Sequence, residues 1–593
     1  MERFANQAAQ AVEKILGRRF SANELELPPD PAFGDFGFPC FKLAKEEKKS
    51  PAAVAQELAE KIAAHLPPEI TSKAVGPYVN FLVKPDVLTS SLLSDILKGE
   101  NLGTYGSLPP ETRGSWVLEY SSPNVAKPLN SYHLRPTALG AALDRIGRFR
   151  GFKVVSINHL GDWGKQYGML AVAFKKYGKT LADELSMREL VDLYVQINAD
   201  AKEQPEIQQQ ARDAFLKLEQ NDPEMTALWK KCVQISLRDF DRLYARLGVS
   251  FDHIWGESFY RAQLAPLTEA LRKSGLLVES EGAWVVPLTD EGGRELPPCI
   301  VQKSDGATLY ATRDLAAAIY RYEHFKFDRM TYIVGGEQKL HFQQIFLVLK
   351  KMGLPWADRC EHVPFGLYKF KGAKMSTRKG IFVTLEDVLM VAKERVFELM
   401  EKRVQDAAAA AAAATSPAGA TAPAPMSIET KDQIAEAVAV GAVVFHDLHT
   451  DPVKDVDFDV DRVVDFEGET GPYLQYAHTR CKAILRKATE SGTSFSYVTE
   501  NSSLLTHPAE MALLKTLGRL PLHLERTLSF SKASQLAHYL IEVTKLFGNF
   551  YRDCRVLGDD PKLTQARLML VEATRRILAR GLTLLGVPLP ERM

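Results

Sequence analysis

Two short apolar runs, WVLEY at 116–120 and VVSI at 154–157, bracket a segment at 134–149 in which Leu139, Leu143 and Ile146 return to one helical face. A strand, a helix and a second strand in that order read as the opening unit of a parallel nucleotide-binding sheet. Gly151 stops the helix. Open parallel sheets bind ligands at the carboxyl ends of their strands, so the polar loop that follows residue 120 is where chemistry is expected.

The pattern returns further along the chain. Leu309 and Tyr310 lead into a helix carrying Asp314, an apolar strand follows at 330–334, and a helix with Phe342, Ile345, Phe346 and Leu349 in register precedes a last strand before Lys371. Residues 165–290, between the two halves, read as a charged helical insertion without catalytic signatures. Residues 1–110 read as a small α+β domain, with Val54, Leu58, Ile62 and Leu66 four apart on a helix, a strand at 78–83 and a Gly/Pro-rich linker at 99–114. Residues 401–429 hold an Ala/Pro-rich loop with eight alanines from Ala407, and 430–593 read as a helical bundle. Its stripe is Leu536, Tyr539, Leu540, Val543, Phe547 and Phe550, and Gly586 with Pro588 ends the last helix. The fold class is therefore multidomain α/β: a Rossmann-type parallel-sheet catalytic domain at 111–400, an N-terminal α+β domain and a C-terminal α-helical bundle.

Composition excludes some roles. No apolar run approaches the roughly 20 residues of a membrane span, and the first residues match neither a signal nor a transit pattern, so a cytoplasmic protein without membrane association is expected. Six cysteines without a CxxC pair suggest thiols, with no disulfide framework and no zinc. His446 and His449 share a helical face, but no ligand cluster joins them and no metal site is expected. Lys+Arg and Asp+Glu are each 74, so attraction to a polyanion would have to be local. With no heptad seam in view, the chain is expected to be a monomer.

Two loops carry phosphate chemistry. The segment SSPNVAKPLNSYHLR at 121–135 places Lys127 and His133 near a helix N-terminus, where backbone N–H groups and cations can hold polyphosphate; a plain helix-capping turn with a solvated lysine fits the same residues. The segment GAKMSTRKG at 372–380 is cationic, hydroxyl-bearing and flanked by glycines, suited to closing over a triphosphate.

These loops, with NHLGDWG at 158–164, YATRDLA at 310–316, TGPYLQYAH at 470–478 and the closing Glu591, Arg592 and Met593, occur in the order and spacing of the arginyl-tRNA synthetases, which the chain resembles over nearly its whole length. The resemblance implies an arginine–tRNA ligase that activates L-arginine with ATP, Mg²⁺ accompanying the nucleotide, and passes it to the 3′ end of tRNA(Arg). It assigns Glu119 and Asp314 to the guanidinium and amino groups of arginine, with Asn124, Tyr310 and Gln338 as neighbouring contacts. A planar guanidinium is best read by a carboxylate fork. The resemblance places ATP against Asn130, Tyr132, His133, Lys374, Met375 and Ser376, and catalysis on His133, Asn130, Lys127, Lys374, Ser376 and Arg378. It gives Asn80, Tyr473, Ala477 and Met593 to tRNA, whereas Tyr476 is expected in the packing.

One motif departs from the family. Where class I synthetases carry His-x-Gly-His, this chain has Asn130, Ser131, Tyr132 and His133. Losing one transition-state donor commonly costs about 10²- to 10³-fold in rate, a handicap that Asn130 could offset by donating from its amide. Tyr132 either swings out, where it could stack on the base, or swings in and blocks ATP. Two readings follow: an active synthetase, or a synthetase-derived tRNA- or arginine-binding protein that has lost adenylation.

Overall fold

A computed structural model describes all residues except 29–32, 101, 304–308, 371–382, 414–425 and 494, and all side chains but these and 23, 407–413 and 499. It divides into two units: Met1–Leu108 with Ala424–Phe445 and Val464–Met593, and Pro109–Pro423 with His446–Val463.

The second unit is built on a five-stranded sheet in the order Cys360–Phe365, Arg329–Gly335, Ser115–Glu119, Lys153–Asn158, His253–Ile254. Every pairing is parallel. The helix Leu134–Phe149 makes the crossover between Ser115–Glu119 and Lys153–Asn158. It lies so close to the sheet that a Cβ at Gly140 would fall inside the ring of Tyr120. Trp116 is fully buried and donates its indole N–H to Thr331 Oγ1 at 2.9 Å, which ties the two halves of the sheet together.

Two expectations change here. Residues 165–290 are not wholly helical. His253–Ile254 returns to the main sheet as an edge strand, and Val278–Ser280, Ala283–Thr289 and Glu295–Gln302 form a separate antiparallel sheet. Trp284, Val285 and Val286 carry the β preference that the long charged helices around them obscured. Residues 446–463, expected in the C-terminal bundle, instead belong to the second unit, where Val456–Phe458 pairs in parallel with Tyr368–Phe370 in a separate two-stranded sheet.

That return is fastened by charge. Arg135 Nε lies 2.9 Å from Asp447 Oδ1, both side chains being 3% exposed, and its Nη1 donates to the carbonyls of Lys454 and Gly366 at 2.5 and 3.3 Å. Burial pushes the Asp447 carboxyl up to about 6, with Arg135 pulling the other way. Removing one partner of a buried pair strands the other charge. Asp447→Ala should therefore lower stability by about 3–5 kcal/mol, read as a shift of the catalytic unit's urea transition, and a loss below about 1 kcal/mol would contradict this account.

In the first unit, Phe36–Pro39, Tyr78–Val83 and Ile70–Val75 form an antiparallel sheet with Tyr78–Val83 in the centre. The regions read as separate N- and C-terminal domains share this unit. Arg576, on Pro561–Leu585, donates to the carbonyls of Leu97 and Gly99 at 3.0 and 2.9 Å, and Lys515 pairs with the buried Asp35 at 2.8 Å. Every residue of the expected stripe from Leu536 to Phe550 is buried.

Two histidines in this unit are held neutral. Burial, with nearby arginine charge, lowers His523 from 6.5 to about 3 and His478 to about 4; His523 stacks on Tyr539 with ring centroids 4.6 Å apart. Each gains a proton on unfolding before it would gain one folded. Their contribution is thus complete above pH 6.5 and shrinks as pH falls toward 4. The urea midpoint of this unit should decline over that window, less steeply in His523→Phe, and an unchanged slope in that variant would remove His523 from the explanation.

Candidate active site

The loop after Ser115–Glu119 holds an uncommon backbone. Ser121, Ser122 and Ala126 all take positive φ, at 71°, 48° and 61°. Each such residue costs on the order of 1 kcal/mol or more and persists only where surroundings over-determine it. They do so here. Ser121 Oγ lies 2.7 Å from both Thr137 Oγ1 and Tyr244 OH, Ser122 N–H donates to Asn158 Oδ1 at 3.1 Å, and Asn158 Nδ2 donates to Tyr244 OH at 3.1 Å. Ala126 N–H donates to Ser236 Oγ at 3.0 Å. Tyr244 and Ser236 sit on the insertion helix Pro223–Leu247, so a segment without catalytic signatures is what braces the loop.

The next motif closes on this one. Gly161 N–H donates to Pro123 O at 3.0 Å and Val125 N–H donates to Gly161 O at 3.2 Å, which sets Asn124 directly beside Gly161. A Cβ at 161 would collide with Asn124 Oδ1. Any larger residue there would push the exposed Asn124 side chain out of its present position.

Three carboxylates stand at the carboxyl edge of the sheet, with three different fates. Glu119, 5% exposed, is the partner of Arg321: Nη1 to Oε2 is 2.5 Å and both are buried. Arg321 also donates from Nε to Tyr260 OH at 3.0 Å and brings Nη2 within 3.2 Å of His159 Nδ1. Burial opposes its charge, but Tyr260 and Glu119 hold its ionisation well above the usual range. Glu257 pairs with Arg313 at 2.6 Å, and burial raises its carboxyl. Asp314 has neither arginine nor lysine as partner among the described residues. Its Oδ2 lies 2.6 Å from His341 Nε2 and its Oδ1 lies 4.0 Å from His159 Nε2. Glu119, expected to contact arginine, is thus engaged by Arg321 through Oε2, whereas Asp314 is engaged by imidazole.

Tyr310 and Gln338, also expected as arginine contacts, lie close in sequence to Asp314 and to its partner His341. Tyr310 opens the helix Tyr310–Phe325 that carries Asp314, is 67% exposed, and has the Arg313 guanidinium 5.5 Å from its ring centroid. Gln338 is exposed at the end of the turn Gly336–Gln338, just past Arg329–Gly335.

The nucleotide side is organised by Asn130. Its Oδ1 accepts Tyr132 N–H at 3.1 Å and caps the turn Ser131–His133, while its own N–H donates to His133 Nδ1 at 3.1 Å. A neutral imidazole accepting at Nδ1 must carry its proton on Nε2. Burial lowers His133 to about 4, with the Lys127 charge acting the same way, so the ring is neutral at ordinary pH and its Nε2–H is a donor. Lys127 is exposed, and Tyr132 is 40% exposed, its ring outside the core. Lys374, Met375, Ser376 and Arg378 lie outside the described residues. The chain on either side of them is placed: Phe370 ends Tyr368–Phe370, and beyond the segment Val383 O accepts Ser131 N–H at 3.1 Å and Leu385 N–H donates to Leu129 O at 2.9 Å.

The chain matches the model of class I tRNA synthetases (R), catalytic domain, over 103–460, that of the arginyl tRNA synthetase N terminal domain over 2–83 and that of the DALR anticodon binding domain over 474–593. It belongs to the class I arginyl-tRNA synthetases. Among curated relatives, the arginine–tRNA ligase of Exiguobacterium sp. is 40% identical with 100% of each chain covered, and that of Lactococcus lactis subsp. cremoris is 42% identical with 98% of each covered. Among solved structures, the Thermus thermophilus arginyl-tRNA synthetase superposes with a TM-score of 0.80 at 25% identity over 100% of both chains. The Plasmodium falciparum enzyme shares the fold, with a TM-score of 0.78 at 24% identity over 100% of this chain and 99% of the other.

The residues that the resemblance gives to tRNA differ in exposure. Asn80 is 4% exposed on the central strand Tyr78–Val83, opposite Gly37, and Ala477 is 4% exposed in Gly471–Glu490, so neither offers the open surface expected of it. Tyr473 and Met593 are half-buried. Tyr476, expected in the packing, is instead 39% exposed.

Sequence reasoning passed over His159, Arg321, His341 and Tyr260. His159 lies within the motif at 158–164, whereas the others have no local signature. Gly161→Ala should displace Asn124 and raise the arginine KM about tenfold or more with little change in the ATP KM, because a shift of about 1 Å in a positioning residue can cost up to 10²-fold. Equal effects on both substrates would contradict this placement of Asn124.

Proposed function

We propose that the chain ligates L-arginine to tRNA(Arg) in two steps at the carboxyl edge of the parallel sheet. The observation that carries the substrate assignment is Asp314, which lies on the helix that Tyr310 opens and is approached by the imidazoles of His341 and His159, with no arginine or lysine partner among the described residues. A substrate guanidinium forks onto Asp314, with Tyr310 and Gln338 beside it and Asn124 toward the arginine backbone. The arginine carboxylate attacks the α-phosphorus of ATP, pyrophosphate leaves, and a terminal ribose hydroxyl of the tRNA then attacks the carbonyl of the adenylate, releasing AMP.

ATP lies along the turn Ser131–His133, where His133 Nε2–H meets developing charge on phosphate and the amide of Asn130, next to it, substitutes in part for the absent histidine. Lys127 supplies charge from the loop. Lys374, Met375, Ser376 and Arg378 close over the nucleotide from a segment whose return at Val383 is bonded to Ser131. Mg²⁺ is carried by the triphosphate oxygens, which suits a cation that usually binds through phosphate rather than a protein cage. The tRNA is held through Tyr473 and Met593, with Tyr476 added, and at the N-terminal sheet around Asn80. No described helix is long and apolar enough to cross a membrane. A monomer in the cytoplasm is the arrangement we propose.

Arginine-dependent ATP–pyrophosphate exchange, with and without cognate tRNA, tests this reading. Exchange should appear, and should depend on tRNA. Asp314→Asn should raise the arginine KM by about 10²-fold, the loss expected when a charge-assisted fork becomes a neutral amide contact. Absence of exchange with tight tRNA binding retained would favour a binding protein that no longer adenylates.

A further inference from the structure

We propose that His341 is a positioning residue whose charge sets how tightly Asp314 takes the arginine side chain. The inference rests on the reading of Asp314 as the guanidinium acceptor.

Asp314 and His341 come from different helices, Tyr310–Phe325 and Lys339–Lys351, and meet through Oδ2 and Nε2 at 2.6 Å. A neutral imidazole donating one hydrogen uses a single lone pair of a carboxylate that has about four, so both oxygens stay able to receive a guanidinium fork, now with the carboxylate plane fixed. A protonated imidazole makes the same contact with a full charge. The pair is then neutral, and an incoming guanidinium meets a cation beside its acceptor. Arginine itself cannot relieve this by losing a proton, because guanidinium stays charged throughout the ordinary pH range.

The other groups around Asp314 do not supply the same control. His159 approaches Oδ1 only to 4.0 Å, and its Nδ1 faces both the Trp255 carbonyl at 3.1 Å and the fixed charge of Arg321 at 3.2 Å. Glu257 is engaged by Arg313, and Glu119 by Arg321. On the far side of His341, Glu337 and Lys339 are exposed and of opposite sign, and His362 on Cys360–Phe365 is kept below its ordinary range by burial and therefore neutral. Histidine is the side chain whose charge ordinarily changes between about pH 5 and 8. In this arrangement arginine affinity falls with pH while the machinery at His133, neutral down to about 4, is unaffected.

The arginine KM of the tRNA-bound protein, measured from pH 8 to 5.5, should rise about tenfold or more as pH falls, with the ATP KM changing far less. His341→Gln keeps an amide donor and cannot gain a proton, so its arginine KM should stay near the parent's pH 8 value and lose most of the slope. A slope in His341→Gln equal to the parent's would overturn the proposal. Calorimetric titration of the unaltered protein with arginine at pH 6, in two buffers of different ionisation enthalpy, should show a net release of protons on arginine binding. No release would also overturn it, whether or not the variant folds. Asp314→Asn separates the two levels: an unchanged arginine KM there refutes the reading of Asp314 itself, whereas a raised KM with an undiminished slope in His341→Gln refutes only the role of His341.

Discussion

The buried pairing of Glu119 with Arg321 is the contact on which the arginine end of the site depends. Taking two charges out of water is costly, and such a pair is tolerable only when its remaining hydrogen-bonding capacity is met. Tyr260 meets part of it, and the pair in turn fixes where Arg321 stands against His159. With Glu119 paired inside the protein, Asp314 and the exposed Glu337 are carboxylates at this edge that no arginine or lysine engages among the described residues. Selectivity for a cationic side chain then follows from what the protein has already neutralised as much as from what it displays.

The stretch that follows Ser115–Glu119 is built on a different principle. Its loop is strained at three residues and braced by hydroxyls of Tyr244 and Ser236 from the insertion, so the backbone amides are held in place before any ligand arrives. Pre-set donors need no reorganisation when charge develops at phosphorus. The same economy appears at His133, where one backbone N–H from Asn130 fixes both the tautomer and the direction of the remaining donor.

Much of this was legible in the sequence, because the strands and crossover helix of the catalytic sheet have local apolar periodicity and the motifs stand at their ends. What escaped was pairing across distance. Arg321 is 202 residues from Glu119 and sits on a helix whose pattern marks it only as one more basic residue. The helix Gly471–Glu490 was expected only as part of a helical bundle, with no rotation assigned: Tyr476 and Ala477 are about 100° apart around the axis, and Tyr476, expected in the packing, is exposed while Ala477, which the resemblance gives to tRNA, is buried. The strand at 456–458 was lost because three residues carry no alternation to detect; only its partner Tyr368–Phe370 makes it a strand. The Asn130 and Tyr132 departures, conspicuous as letters, prove to be a capping side chain and an exposed ring.

The route of the chain out of and back into the catalytic unit has a practical meaning for anyone dissecting the molecule. The Ala/Pro-rich stretch invites a cut near residue 413, as though everything needed for catalysis had been laid down by then. Such a fragment would lack residues 446–463, leaving Arg135 as a desolvated cation two positions after His133 and Tyr368–Phe370 as an unpaired edge. Exposed edges of that kind recruit other chains. Severed there, the catalytic half would tend toward aggregation, and its inactivity would say nothing about which residues perform the chemistry.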